Sequence, residues 1–138
     1  VKPIVFVDMD ETLLHYDLLS GDTEVRPGAF EALQALRTCT EVYVFSAGFP
    51  QYVRDRLTET RLLTQIDGAF STWNYPGAGW IGRRKWVLLD NDAMLAEMKC
   101  EMIDPDGPCR WIEVEDFERQ RNVVPLTAYL PSVWRALS

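Results

Sequence analysis

The stretch Phe6-Val7-Asp8-Met9-Asp10-Glu11-Thr12-Leu13-Leu14-His15 (FVDMDETLLH) decides how the rest of the chain is read. An apolar run, Ile4–Val7, ends in two carboxylates that flank Met9. Like charges this close repel, and a strand gains nothing from them. Either a cation sits between the two acids or one of them holds a proton.

Working outward, Ile4–Val7 and Val42–Phe45 are continuous apolar runs rich in β-branched and aromatic residues, the pattern of strands buried on both faces. Trp86–Leu89 reads the same way, Trp111–Val114 as a last strand, and Ala69-Phe70 as a short one. Helical spacing lies between them. Pro27 starts one helix, with Phe30, Leu33 and Leu36 on its buried side. Gly48 and Pro50 open a second, with Phe49, Val53 and Leu57 four apart, and Asp92–Lys99 forms a third. Residues 14–26 contain the turn signal Ser20-Gly21-Asp22 and form a short hairpin or a loop. Near the end, Leu126, Tyr129, Leu130, Val133, Trp134 and Leu137 follow helical spacing, and Pro131 predicts a break or kink there. Strands alternating with helices predict an α/β fold with a mainly parallel sheet. Gly77–Gly82 matches GxGxxG by letter, but a Trp-Asn-Tyr-Pro stretch precedes it and a strand follows, so it is read as a loop and not as a dinucleotide site.

The 138 residues suffice for one domain, 1–138, with a substantial core. Hydrophobic content of 47% and charged content of 25% are ordinary for a globular domain, and no apolar run has the length of a membrane span. A net charge of −7 opposes indiscriminate binding to polyanions, and the one compact basic cluster is Arg83-Arg84-Lys85. The expectation is therefore no membrane and no nucleic-acid signature. Three cysteines without a CxxC pair point away from a zinc site or a disulfide framework. Cys100 and Cys109 are near enough to pair, but reduced thiols in a cytoplasmic protein are the expectation.

In parallel sheets, ligands bind beyond the carboxyl ends of the strands. Asp8, Ser46 and Asp90 each stand at such an end. Asp8 and Asp10 suit a hard cation such as Mg²⁺, with Asp90, Asn91 and Asp92 available to complete an oxygen shell. The ion would keep Asp8 ionised as a nucleophile, while Asp10 could pass a proton to a leaving alkoxide and take one from water. Ser46 and the backbone N–H groups after it lead into a helix start, an anion site. Lys85 or a neighbouring arginine could supply the remaining positive charge. Taken singly, each feature also has a structural role: a loop, a turn serine, a solvated edge, a helix cap.

Together they resemble the haloacid dehalogenase superfamily. Asp8-Met9-Asp10-Glu11-Thr12 is similar to its DxDxT motif, Ser46 in Val-Phe-Ser-Ala-Gly to its second motif, and Leu-Leu-Asp90-Asn91-Asp92 to its acidic fourth motif. Val25-Arg26-Pro27-Gly28, the Asp90-Asn91 pair and Leu130-Pro131 resemble the phosphatases of the RNA polymerase II C-terminal domain and their small relatives. The resemblance implies a three-layer Rossmann-like fold, Mg²⁺ and a phospho-aspartyl intermediate on Asp8. Asp10 would be the acid/base and give its backbone carbonyl to the metal, and Thr12 would steady the loop. Met9, Ser46, Ala47, Arg83 and Lys85 would contact phosphate. Asn91 would ligate the metal, with Asp90 doing so directly or through water. The family's third-motif lysine lies well upstream of the acidic strand, where this chain reads Thr72-Trp73-Asn74-Tyr75, leaving Lys85, Arg83 or Arg84 for the part. Residues 13–26 allow only a minimal flap and no cap domain, so the site should be open to a bulky substrate such as a phosphoprotein or a polynucleotide end. A small-molecule or nucleotide phosphatase, and a phosphate-binding signalling module without turnover, are the alternatives.

Overall fold

The computed structural model describes residues 1–118 and 123–138. Its centre is β1 (Ile4–Val7), whose side chains are all fully buried. A short antiparallel hairpin follows, β2 (Leu14–Tyr16) with β3 (Thr23–Val25). Then come α1 (Ala29–Arg37), β4 (Glu41–Ser46), α2 (Pro50–Glu59), β5 (Gly68–Ser71), β6 (Trp86–Asp90), α3 (Ala93–Ile103), β7 (Trp111–Glu113) and α4 (Leu130–Leu137). The five-stranded sheet runs in the order β5-β4-β1-β6-β7 with every pair parallel. The expected strands, helices and sheet direction are thus present, and residues 14–26 resolve as the hairpin.

Strand alternation divides the core. Val5 and Val7 face a layer with Leu33 and Leu36 of α1, Leu57 of α2 and Val133 of α4. Ile4 and Phe6 face the other side, with Phe45, Trp86, Ala96 and Ile103 and the rings of Tyr75 and Trp80 packed against them. The period-two pattern of a strand buried on both faces therefore gives helix, sheet and helix layers.

Local chemistry sets the joints. Gly28 caps α1 at φ 78°, a left-handed conformation that glycine adopts without cost. A methyl group there would also meet the backbone N of Leu126 at 3.2 Å. The neighbouring Arg26 is fully buried, and its guanidinium donates to the carbonyls of Glu115 (2.8 Å), Val124 (2.9 Å) and Thr12 (3.3 Å). It bolts the acidic loop to the C-terminal segment. The break expected near Pro131 falls just before it: a 3-10 turn over Leu126–Tyr129 gives way to α4, and Pro131 occupies the first turn. Gly77–Gly82 follows no strand directly and contains one 3-10 turn, Ala78–Ile81.

The cysteine expectation is corrected. Cys100, in the last turns of α3, and Cys109, ahead of β7, lie with Cα atoms 5.1 Å apart and form a disulfide, leaving Cys39 free and exposed. The loop between them brings the two ends together. No helix among the described residues is long and apolar enough to cross a membrane.

Candidate active site

The carboxyl ends of β1, β4 and β6 place Asp8, Ser46 and Asp90 together, because the register pairs Val7 with both Val44 and Leu89. Asp8, Asp10, Ser46, Ala47, Gly48 and Asn91 line one cavity of ≈ 260 Å³. Met9, expected to contact phosphate, is fully buried and does not line that cavity.

The loop after β1 is tight. The N–H groups of Thr12, Leu13 and Leu14 all donate to the Met9 carbonyl, at 3.3, 2.9 and 3.2 Å. Glu11 takes φ 64° to close it. This curl buries the Thr12 hydroxyl 3.3 Å from Asp8 Oδ2 and 3.2 Å from Asn91 Oδ1. Its single proton serves one of them at a time. Glu11 in turn pairs with His15 Nδ1 at 2.5 Å and accepts the Glu118 N–H at 2.7 Å, closing the rim of the site. The hydrogen bond to Glu11 holds the His15 imidazole above its ordinary range.

The basic residue of the site is not among those expected. Lys99, on α3, is wholly buried, and its ammonium donates to Asp90 Oδ2 at 2.6 Å and Asp8 Oδ1 at 2.9 Å. Burial works against its charge, but Asp8 and Asp90 outweigh that and hold the ammonium above its usual range. Burial pushes the Asp8 carboxyl up to about 7, against the attraction of Lys99, with Asp90 and Asp10 adding to the rise. Two buried carboxylates share one ammonium, so one negative charge is left over.

Lys85 and Arg83 are corrected accordingly. Lys85 precedes β6, and its carbonyl accepts from Ile4 N at 2.9 Å at the amino end of the sheet. Five residues of strand at ~3.3 Å each put it about 16 Å from the Asp90 end, beyond the reach of its side chain. Both Lys85 and Arg83 are exposed at that far edge. Arg84 is engaged there with Glu41 at 3.1 Å and the Trp80 ring at 4.9 Å. A signal for Lys99 was present in the sequence. Ala96, Lys99, Cys100 and Ile103 form the buried stripe of α3, and a lysine on such a stripe needs carboxylates to meet it.

The oxygen shell divides more sharply than the sequence implied. Both Asp90 oxygens are engaged, Oδ2 by Lys99 and Oδ1 by the Asp92 N–H at 2.9 Å, so its first duty is to the lysine. The Asn91 amide instead reaches the acidic loop, and one of its terminal atoms lies 2.9 Å from Asp8 Oδ2 and 3.0 Å from the Asp10 carbonyl. With nitrogen at that place the amide donates to both. With oxygen there, three oxygens converge with no proton between them. That arrangement fits a hard divalent cation, since octahedral ligands at ~2.1 Å stand about 3 Å apart. Asp8, the Asp10 carbonyl and Asn91 are thus the atoms suited to hold one.

On the other wall, Ser46 is buried at the end of β4 and its Oγ accepts the Gly48 N–H at 3.1 Å. The turn Ser46-Ala47-Gly48 leads to α2, whose first turn carries Pro50. The carboxyl of Asp10 is half-buried, and its Oδ1 accepts the Tyr52 hydroxyl at 2.7 Å. Burial raises its proton affinity, against the hydrogen bond from Tyr52.

Paired acids, a buried lysine and the Ser46-Ala47-Gly48 turn, gathered at the strand ends of a parallel sheet, are an arrangement suited to a phosphoryl group. Residues 3–69 match the family of NLI interacting factor-like phosphatases. The HAD domain of the effector protein Lem4 from Legionella pneumophila has the same fold, with a TM-score of 0.63 at 13% identity over 99% of this chain and 96% of that one. Fission yeast Fcp1-R271A, an RNA polymerase II CTD phosphatase bound to beryllium fluoride, gives a TM-score of 0.56 at 14% identity over 93% of this chain and 45% of that one. A further Fcp1 structure gives 0.58 at 14% identity, over 98% of this chain and 48% of that one, so the chain spans about half the length of the Fcp1 chains. No curated protein matches the chain in sequence. The first half of the chain is thus similar to the NLI interacting factor-like phosphatases, and the whole chain has the fold of the HAD domains of Lem4 and Fcp1.

Proposed function

We propose that the protein hydrolyses phosphomonoesters with Mg²⁺, carrying the phosphoryl group on Asp8 between two half-reactions. The observation that supports this most is the meeting, in one cavity, of Asp8, the Asp10 and Asn91 oxygens and the Ser46 turn, with Lys99 buried behind Asp8. Magnesium held by Asp8, the Asp10 carbonyl and Asn91 would neutralise phosphoryl charge.

The chain's own residues do the rest. An Asp8 carboxylate oxygen attacks phosphorus as the bond to the leaving oxygen breaks. That oxygen takes the proton of Asp10. Asp10 then accepts a proton from water as the water oxygen attacks phosphorus, and the pair of electrons of the Asp8–phosphorus bond returns to Asp8. Ser46 and the N–H groups of its turn hold the phosphoryl oxygens. Lys99 aims Asp8 and favours its charged form against the burial that raises its proton affinity.

The surroundings support a protein substrate over a polynucleotide end. Leu18 and Leu19 on the hairpin, and the stacked pair of Phe49, after the Ser46 turn, and Trp73, after β5, are exposed apolar groups. Asp92, Asp116 and Glu118 line the cavity as well, and they repel a second phosphate.

Release of phosphate from p-nitrophenyl phosphate tests the reading. Turnover is expected with Mg²⁺, lost in EDTA and abolished by Asp8→Asn. Undiminished turnover by Asp8→Asn would remove Asp8 from the nucleophile's place.

A further inference from the structure

Asp10 stands where two cavities meet. One is the ≈ 260 Å³ cavity over Asp8, Ser46 and Asn91. The other, of ≈ 600 Å³, is lined by His15, Tyr16, Leu18, Leu19 and Tyr52 between the hairpin and α2. A phosphoryl group in the first leaves the second for the rest of the substrate. A proton passed between them must leave one defined oxygen of Asp10.

Tyr52 settles which one. Its hydroxyl donates to Asp10 Oδ1 at 2.7 Å, and Oδ2 has no partner among the described residues. The ring is itself held. A methyl group on Gly48 would come 3.0 Å from the Tyr52 ring and 3.4 Å from Ser46 Oγ, so the ring lies directly against the phosphate turn. Tyr16 of β2 meets it edge-on at 5.8 Å and 78°. The Arg56 guanidinium sits 4.3 Å from the Tyr16 ring and 5.4 Å from the Tyr52 ring, and is fixed by Glu59 at 2.9 Å. Thr23 of β3 bonds Glu59 in turn. The hairpin, α2 and the acid are therefore one connected piece.

We infer that Tyr52 is a positioning residue for proton transfer, occupying Asp10 Oδ1 so that Oδ2 alone faces the leaving group, with the hairpin bracing it through Tyr16. This rests on the phosphatase reading above. The role shows in what the leaving group needs. An alkoxide must receive a proton as it departs, whereas dinitrophenolate departs without one.

The test is kcat/KM of the Mg²⁺-loaded protein and of Tyr52→Phe over a series of phosphate monoesters from 2,4-dinitrophenyl to alkyl. Tyr52→Met, which also lacks the hydroxyl but fills the space, is run in parallel, with thermal melts showing that each variant is folded. Both variants are expected to lose about tenfold or more on alkyl esters and at most about twofold on the dinitrophenyl ester, within the ~10²–10⁴ that general acids supply. An equal loss across the series, or no loss, overturns the inference. If the parent protein hydrolyses none of the esters, it is the phosphatase reading that fails, and the two failures are distinct.

Discussion

Lys99 is a single residue to which the proposed function gives a part in both stability and chemistry. Its ammonium is the partner of two buried carboxylates, at 2.6 and 2.9 Å. Lys99→Met keeps the volume and removes the charge. Breaking a buried ion pair typically costs about 3–5 kcal/mol, because the abandoned carboxylates have nowhere to go. Urea unfolding at pH 8 should show a loss of that order, and phosphatase turnover should fall at least about a hundredfold. An unchanged urea midpoint would mean that another group balances the carboxylates. Asp8 adds a pH signature. Its folded-state carboxyl is pushed up to about 7 by burial, from 3.8. Between those values the folded protein keeps a proton that the unfolded chain has released, so the metal-free protein is stabilised below pH 4 and loses that contribution as pH rises through about 7. Thermal melts in chelator should fall from pH 5 to pH 8, and Mg²⁺ should restore more at pH 8, where Asp8 is free of its proton. Equal melting temperatures at the two pH values would contradict this.

At the scale of elements, Arg26 ties together three segments distant in sequence. Its guanidinium serves the carbonyls of Thr12, Glu115 and Val124 and lies 5.9 and 5.7 Å from the rings of Phe117 and Tyr129. Arg26→Ala would strip buried carbonyls of their donor, and the expected cost is about 3–5 kcal/mol by denaturant titration. A change below about 1 kcal/mol would show that water replaces the guanidinium. Most elements were legible in the sequence for a plain reason. Ile4–Val7, Glu41–Ser46 and Trp86–Asp90 are apolar on both faces and end in polar residues, and a parallel sheet gathers those ends on one side. The lysine was illegible by motif spacing, since it follows the acidic strand where the polymerase-tail pattern has it well before. Strand direction alone was enough to exclude Lys85, which enters β6 where Asp90 leaves it. The disulfide was hidden because the pairing depends on how the loop after α3 folds back, which no local propensity encodes. The split of duties between Asp90 and Asn91 needed coordinates, because Asn91 lies in the bend beyond β6 and its direction depends on how that bend meets the acidic loop.

For the molecule as a whole, charge and polarity are distributed unevenly. Arg83 and Lys85, with Pro3, Ile81 and Leu137, line a cavity at the amino end of the sheet. The carboxyl end, with the candidate site, has Asp10, Glu11, Asp92, Asp116 and Glu118 at its mouth instead. With a net charge of −7 the long-range field adds to this bias. Phosphopeptides with basic residues beside the phosphate should therefore have higher kcat/KM than 5′-phosphorylated oligonucleotides, with the gap narrowing in high salt. A preference for the oligonucleotide would refute the electrostatic argument.

The location of Lys99 has a consequence for assembly. With no charged partner for Asp8 between β5 and β6, the groups gathered at the site fall into two pieces. Residues up to Ser71 supply Asp8, Asp10, Thr12, Ser46 and Tyr52, and residues from Trp86 onward supply Asp90, Asn91 and Lys99. A nick at the exposed Ala78-Gly79 would leave each fragment with half a pocket, and the β1–β6 pairing at the middle of the sheet would be the seam along which the halves rejoin.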